Sequence, residues 1–391
     1  MTYSEKNPLS VIQARETWLG LTENWIYTQL QCLPPWVQCH VLCNRRENRD
    51  RFTWPSLYTF PTLPVWRFFL RYGLYPPRLS RRIAYLGWLA RRTHARILHS
   101  HFGFEGWINL RAARKNKLKH VVTFYGVDVN HYPQQHPVWR RRYRELFAEV
   151  DLVLCEGPYM AECIRQLGCP PRKVRVHHLG IRVDQIACRP RTRQPDEPLR
   201  VLIAAAFTEK KGIPLALEAL GRLNGTVPLR ITLIGDAKDE PRSQKEKEKI
   251  LETIEKYALH DRIRLLGFQP LDVFWEQAYQ HHLFLSPSLT ASDGDTEGGA
   301  PVSLIETSAS GMPVISTTHC DIPGVILDNR TGLLSEESNV DGLVASLRQL
   351  ANEPQRWPAL GRAGRDHIQK EFDARRQGEK LAAIYEELLN D

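Results

Sequence analysis

HLFLSPSLTASDGDTEGGAPVSLIETSASGMPVIST, residues 282–317, reads as strand, loop, helix and strand in close succession. His282–Ser286 is a short, mostly apolar run of the kind that forms a buried strand, and it opens into a polar loop. The loop closes on Gly298-Gly299-Ala300. Pro301 then suits the first turn of a helix, where its missing N–H leaves no bond unmade. The helix should run to about Ser310 and stop at Gly311, with Pro313–Thr317 as the next strand.

The same alternation extends outward. Leu199–Ala205, Leu229–Gly235 and Ile263–Gly267 read as strands, with helices at Pro214–Leu223 and Ser243–Tyr257. Earlier, Arg96–His99, Val121–Phe124 and Asp151–Cys155 read as strands, and Gly106–Lys117 and Val138–Ala148 as helices. Strand–helix alternation of this kind predicts an α/β fold with helices on both sheet faces. Cys188–Pro198, CRPRTRQPDEP, has no apolar period and reads as a linker. Two doubly wound, Rossmann-like domains are expected, residues 1–187 and 199–391, facing one another across a cleft. The final segment, about 361–391, reads as one amphipathic helix or two, available to pack back on the first domain.

The 391 residues suffice for two cores, and 42% apolar with 25% charged residues is the balance of a globular protein. No run of about 18 apolar residues is present, so no membrane-spanning helix is expected. The first twenty residues lack a basic start and a long apolar stretch, so no secretory signal is expected and the chain reads as cytoplasmic. The eight cysteines include no C-x-x-C pair and read as reduced thiols. Charge is divided unevenly. Residues 1–200 hold 32 Lys+Arg against 15 Asp+Glu, and the remainder 21 against 29. A basic first half favours anionic surfaces or phosphate-bearing ligands.

The chemistry concentrates at Glu297–Glu306. A glycine loop leading into a helix N-terminus offers free N–H groups and a favourable dipole, which predicts a diphosphate near Gly298, Gly299, Ala300, Pro301 and Val302. Val302, Ile305 and Ala309 form one apolar arc, and Glu306 sits at its edge. A carboxylate there accepts up to about four hydrogen bonds, which suits ribose hydroxyls. Glu297 is placed to meet hydroxyls of a sugar. The competing reading makes Glu306 an ion-pair member and Glu297 a solvated loop acid. Lys210-Lys211-Gly212 after a strand is a phosphate partner or, alternatively, a solvated pair at a helix start. His99-x-His101 has no third ligand at suitable spacing, so no metal is expected. No G-x-G-x-x-G follows a strand, which argues against a nicotinamide dehydrogenase.

Residues 64–96 interleave arginines with Trp66, Phe68, Phe69, Tyr72, Tyr75, Tyr85 and Trp88. On a helix from about Pro77, Leu79, Ile83, Leu86 and Ala90 form a stripe, with Arg78, Arg81, Arg82, Arg91 and Arg92 largely off it. Either this docks on an anionic membrane, or the stripe packs on the core and the arginines are solvated. No nucleic-acid motif accompanies the charge, and nucleic acid is not an expected partner.

TEGGAPVSLIETSASGMPVIST, with HSHFGFEG, VTFYGVDV, VRVHHLGIRVD, AAAFTEKKGIPLALEAL, LIGDA and LSPS, resembles the retaining glycosyltransferases of family 4, which have the GT-B fold. The likeness covers most of residues 95–390 and is nearest the branch that builds exopolysaccharides such as colanic acid. It implies transfer from a UDP- or GDP-sugar, without metal or other cofactor, to a saccharide or lipid-linked acceptor. It implies Glu297 for the donor sugar, Glu306 for the ribose and Lys211, with Lys210 beside it, for the diphosphate. The family's usual spacing between the glutamates is seven residues; here it is eight. The family's diphosphate arginine falls at Ala206. Tyr125 stands where many relatives carry a His near the reacting centre, with Asp128 close by and His101 and Gly103 as acceptor-side candidates. The implied mechanism is retention, with the leaving diphosphate taking the acceptor proton. These departures motivate an alternative, a membrane-binding protein that keeps the fold without full catalysis; another GT-B enzyme such as a sugar-nucleotide epimerase is a further one.

Overall fold

The computed structural model describes residues 8–20, 23–60 and 77–390, the first four of the last stretch by backbone alone. The chain divides into two units, Met1–Gly180 with Ala374–Asp391, and Ile181–Asp373. The division falls ahead of the stretch read as a linker. Cys188–Pro198 lies in the second unit, and Arg191 anchors it there. Its buried guanidinium donates to the carbonyls of His281 (3.1 Å), Ser310 (3.1 Å) and Ala278 (2.8 Å). The final segment is two helices, Trp357–Glu371 in the second unit and Ala374–Asn390 in the first.

The first unit holds seven parallel strands: β1 (Leu9–Trp18), β2 (Val37–Arg46), β3 (Leu57–Thr59), β4 (Ile97–His101), β5 (Lys119–Thr123), β6 (Leu152–Cys155) and β7 (Val174–Val176). Their spatial order is β3-β2-β1-β4-β5-β6-β7, so the winding reverses between β1 and β4. Ile12, Leu98 and Val122 pack beneath the Pro77–Thr93, Gly103–Lys115 and Val138–Glu149 helices. The opposite side chains of β1 and β4, Gln13, His99 and His101, are buried and polar. They are tolerable there because Ala374–Asn390 supplies the Tyr385 hydroxyl to Gln13 Nε2 (3.2 Å) and His99 Nδ1 (2.6 Å).

The second unit holds six parallel strands: β8 (Leu199–Ala204), β9 (Leu229–Ile234), β10 (Ile263–Gly267), β11 (Leu283–Ser286), β12 (Val314–Thr317) and β13 (Leu333–Ser335). The order β10-β9-β8-β11-β12-β13 reverses between β8 and β11. One face buries Val201, Leu217, Ile250 and Leu347; the other buries Leu202, Phe274, Phe284, Ile305 and Ile368. In open α/β sheets, ligands bind beyond the carboxyl ends of the strands at such a reversal.

The Pro77–Thr93 helix starts where the sequence placed it, and the described part of its stripe is core. Leu86, Leu89 and Ala90 are buried beside Ile83. Arg82 turns inward, with Nη1 3.1 Å from Glu105 Oε1, which corrects its reading as an off-stripe surface cation. Trp66, Phe68, Phe69, Tyr72 and Tyr75, and the side chains of Arg78 and Leu79, lie outside the described residues. Among the described residues no helix is long and apolar enough to cross a membrane.

Candidate functional site

The neighbouring parallel strands β8, β11 and β12 end side by side, and the loops that follow them carry the polar groups. The loop after β8 makes a short turn, Glu209–Lys211, and passes through Gly212 at φ +61°. A Cβ added there would stand 2.0 Å from the carbonyl oxygen of Pro287, so only glycine lets this loop lie against the one after β11. The contact is pinned by Leu289 N–H donating to Lys210 O at 2.9 Å.

Lys211 Nζ thereby reaches Glu297 Oε2 at 2.8 Å, and Ser288 Oγ donates to Oε1 at 2.8 Å. The Glu297 side chain is only 7% exposed. Burial acts to raise its pKa, but Lys211 and then Lys210 outweigh it and hold the carboxyl below its usual range. Lys210 itself donates to Thr296 O (2.9 Å) and Asp295 Oδ1 (3.2 Å), which secures the loop. Glu297 is thus neither solvated nor unpaired.

Gly298, at φ +76°, donates to Thr296 Oγ1 at 3.1 Å, and the chain enters the Val302–Ala309 helix through Pro301. Its N-cap residue, Pro301, makes no side-chain capping bond. Ala300 and Val302 pack partly into the core, while Ile305 and Ala309 are fully inside it. Glu306 on this helix is half-buried, and among the described residues no donor meets its carboxylate. Burial alone pushes its pKa up to about 7. Of the two glutamates, Glu297 is paired and Glu306 is a half-buried acceptor that no described residue meets. The loop position Ala206 supplies no cation.

Sequence reasoning did not single out three further residues. Ser288 is one. The others are His319, just past β12, and Glu337, just past β13. Glu297 N–H donates to His319 Nε2 at 3.1 Å, and His319 Nδ1 lies 2.7 Å from Glu337 Oε1. The only signal was a lone histidine in Thr317-Thr318-His319-Cys320, which no spacing rule links to Glu297.

In the first unit, the loops after β4 and β5 bring His101, Gly103, Tyr125 and Asp128 together. Both oxygens of Asp128 accept backbone N–H groups, from Gly103 at 2.6 Å and from Tyr125 at 2.9 Å. Asp128 is fully buried, and burial raises its pKa to about 6 against those two bonds. It clamps two loops. The Tyr125 hydroxyl lies 2.6 Å from His101 Nδ1, and His101 Nε2 lies 3.0 Å from Gln13 Oε1. Gln13 Nε2 donates to Tyr385, so its oxygen accepts from His101 Nε2–H, and Tyr125 O–H then donates to Nδ1. Burial drives the His101 pKa down to about 3 and that of Tyr125 well up, which keeps both neutral. His99 likewise has both ring nitrogens engaged, by Tyr385 and Thr123 at 2.6 Å each. Among the described residues no cluster of three or more His, Cys, Asp or Glu is arranged for a metal ion.

Two family descriptions match the chain: Glycosyltransferase Family 4 over residues 22–185, and Glycosyl transferases group 1 over residues 184–367. The amylovoran biosynthesis glycosyltransferase AmsK of Erwinia amylovora is 32% identical over 75% of this chain and 70% of its own length. A putative colanic acid biosynthesis glycosyltransferase, WcaL of Escherichia coli, is 30% identical over 78% and 74%. A GDP-mannose-dependent phosphatidylinositol monomannoside mannosyltransferase of Mycolicibacterium smegmatis is 26% identical over 77% and 73%. Among solved structures, Anabaena Alr3699/HepE in complex with UDP superposes with a TM-score of 0.78 at 13% identity, covering 97% of this chain and all of that one. Sucrose-phosphate synthase of Thermosynechococcus elongatus gives 0.75 at 15% identity, covering 98% and 99%. With two parallel sheets that reverse their winding and these matches along both halves, the chain belongs to family 4 of the glycosyltransferases and has the GT-B fold.

Proposed function

We propose that the chain moves a hexosyl group from a nucleotide-diphosphate sugar to a saccharide or lipid-linked acceptor in exopolysaccharide or cell-surface polysaccharide synthesis, with retention at the anomeric carbon. The observation that carries the reading is Glu306, a half-buried carboxylate that no described residue satisfies, on the helix that follows the glycine loop after β11, with Lys211 in the loop after the neighbouring β8. Ribose hydroxyls would satisfy that carboxylate, and the helix amides and the spare protons of Lys211 Nζ would meet the diphosphate. Glu297 would face the sugar. Positioning and charge stabilisation would supply the rate, with no strong protein base, which agrees with a neutral Tyr125 beside a neutral His101.

The names of the two most identical relatives described above support the polysaccharide assignment. A UDP-bound neighbour and a GDP-mannose-dependent relative leave both bases in play. For the acceptor side, exposed Trp88, Arg91 and Arg92 on the Pro77–Thr93 helix support peripheral docking on the anionic cytoplasmic face of a membrane. Purified protein should be stabilised in a thermal melt by one of UDP, GDP or ADP, and Glu306→Ala should remove most of that shift. No shift with any of the three refutes the donor site. Transfer of radiolabelled sugar into a membrane lipid fraction tests the acceptor class.

A further inference from the structure

We infer that His319 is a positioning residue that sets the place of Glu297, with Glu337 fixing the histidine in the tautomer this requires. The inference rests on the reading of Glu297 as the group that faces the donor sugar. His319 is fully buried at the carboxyl end of β12, beside the strand that leads into the Glu297 loop. Its Nε2 accepts the Glu297 backbone N–H at 3.1 Å, so that nitrogen needs a lone pair. The proton therefore sits on Nδ1 and is donated to Glu337 Oε1 at 2.7 Å. The other Glu337 oxygen accepts Thr290 N–H at 2.8 Å. Two side chains thus bracket the loop after β11 near its start, at Thr290, and at Glu297. The Cys320 sulfur, 3.1 Å from the same Nε2, shares that lone pair rather than replacing the contact.

The bracket acts on the Glu297 backbone and makes no direct contact with Lys211 or Glu306. Its loss should move the carboxylate relative to the sugar and leave the nucleotide held. Displacements of about 1 Å near reacting groups lower rates by roughly 100-fold. A merely structural role would weaken nucleotide and nucleotide-sugar binding together.

The test uses the full chain with UDP and GDP as sugar-free probes and UDP-glucose, UDP-galactose and GDP-mannose as sugar-bearing ones. Affinity and the slow hydrolysis of the nucleotide sugars, in which water takes the glycosyl group and nucleoside diphosphate is released, are read for the parent and for His319→Ala, His319→Gln, Glu297→Gln and the double variant Glu297→Gln/His319→Ala. His319→Ala should slow release roughly 10- to 100-fold and erase the affinity the sugar adds, with UDP or GDP affinity changed less than about twofold. His319→Gln, which keeps an acceptor oxygen near the place of Nε2, should recover most of the rate. In the Glu297→Gln background, His319→Ala should add less than about a twofold loss. A parallel fall in diphosphate affinity, or additive losses in the double variant, overturns the positioning role. An active His319→Ala beside a defective Glu297→Gln overturns it while leaving Glu297 in place. If Glu297→Gln is also unimpaired, or no sugar adds affinity in the parent, the reading of Glu297 falls and the inference with it.

Discussion

Glu306→Gln should stabilise the ligand-free protein at pH 8 while weakening nucleotide binding. The Glu306 carboxyl has its pKa raised from 4.5 to about 7 by burial alone. The native state therefore holds the proton more tightly than the unfolded chain. Its contribution is fully present below the unfolded pKa and is lost as pH rises through the folded one. Over that span of about 2.5 units, at 1.36 kcal/mol each, ionising Glu306 costs about 3 kcal/mol by pH 8. Solvent reaching the half-buried carboxylate screens part of this, so the figure is a ceiling. Glutamine keeps the shape and never ionises. For a unit of this size, about 2–4 °C per kcal/mol converts the ceiling to a gain of roughly 6–12 °C at pH 8, falling towards zero at pH 4.5. The assay is a pair of thermal melts for parent and variant across that range, without ligand. A gain independent of pH, or a variant less stable at pH 8, refutes the argument. Calorimetry gives a second reading. If ribose hydroxyls satisfy the carboxylate, binding lowers its pKa, and UDP or GDP should release up to about one proton near pH 6.5.

Lys211→Met removes the cation from a carboxylate that is 7% exposed, and should destabilise the second unit by about 3 kcal/mol in urea unfolding, more at pH 8 than at pH 4. Tyr125→Phe leaves His101 Nδ1 as a buried acceptor without its donor, and should cost about 1–3 kcal/mol in the first unit while donor affinity is unchanged. Gly212→Ala meets both a positive φ and the Pro287 carbonyl at 2.0 Å, so the loop after β8 must shift; nucleotide affinity should fall with stability, read by melts with and without UDP or GDP.

The second unit was legible because its signals are local. An apolar run such as Leu283–Ser286 marks a strand by itself, and Pro301 and Gly311 bound a helix by their backbone needs. β1 and β2 gave less. Leu9–Trp18 mixes Gln13, Arg15 and Glu16 into its run, and the buried Gln13 falls on the face that meets Ala374–Asn390. That pattern becomes intelligible only with Tyr385 in place, a partner 372 residues away from Gln13. Arg191 misled for the same reason. A charged, proline-rich stretch reads as exposed until three carbonyls from two distant segments are seen to hold its guanidinium. Lys211 and Glu297 were both found, but their ion pair was not, since it depends on β8 and β11 lying side by side across 86 residues of sequence.

The spacing between the two glutamates departs from the family's usual seven residues, and the structure shows what holds Glu297 at the longer one. Spacing along the chain fixes position only when the intervening backbone is the sole restraint. Glu297 is held instead from three other directions: by Lys211 from the loop after β8, by Ser288 from the start of its own loop, and by His319 from the loop after β12. Glu306 is placed separately, by a helix whose Ile305 and Ala309 are locked in the core. The extra residue lies in the stretch between these two anchored points, where Gly298 at φ +76° turns the chain and Asp321 N–H holds Gly299 O at 3.4 Å. A glycine pair takes up an added residue with little strain. The two carboxylates are therefore held in separate places at a spacing of eight. What the longer loop puts at stake is the set of contacts to Lys211, Ser288 and His319, and not the distance along the chain.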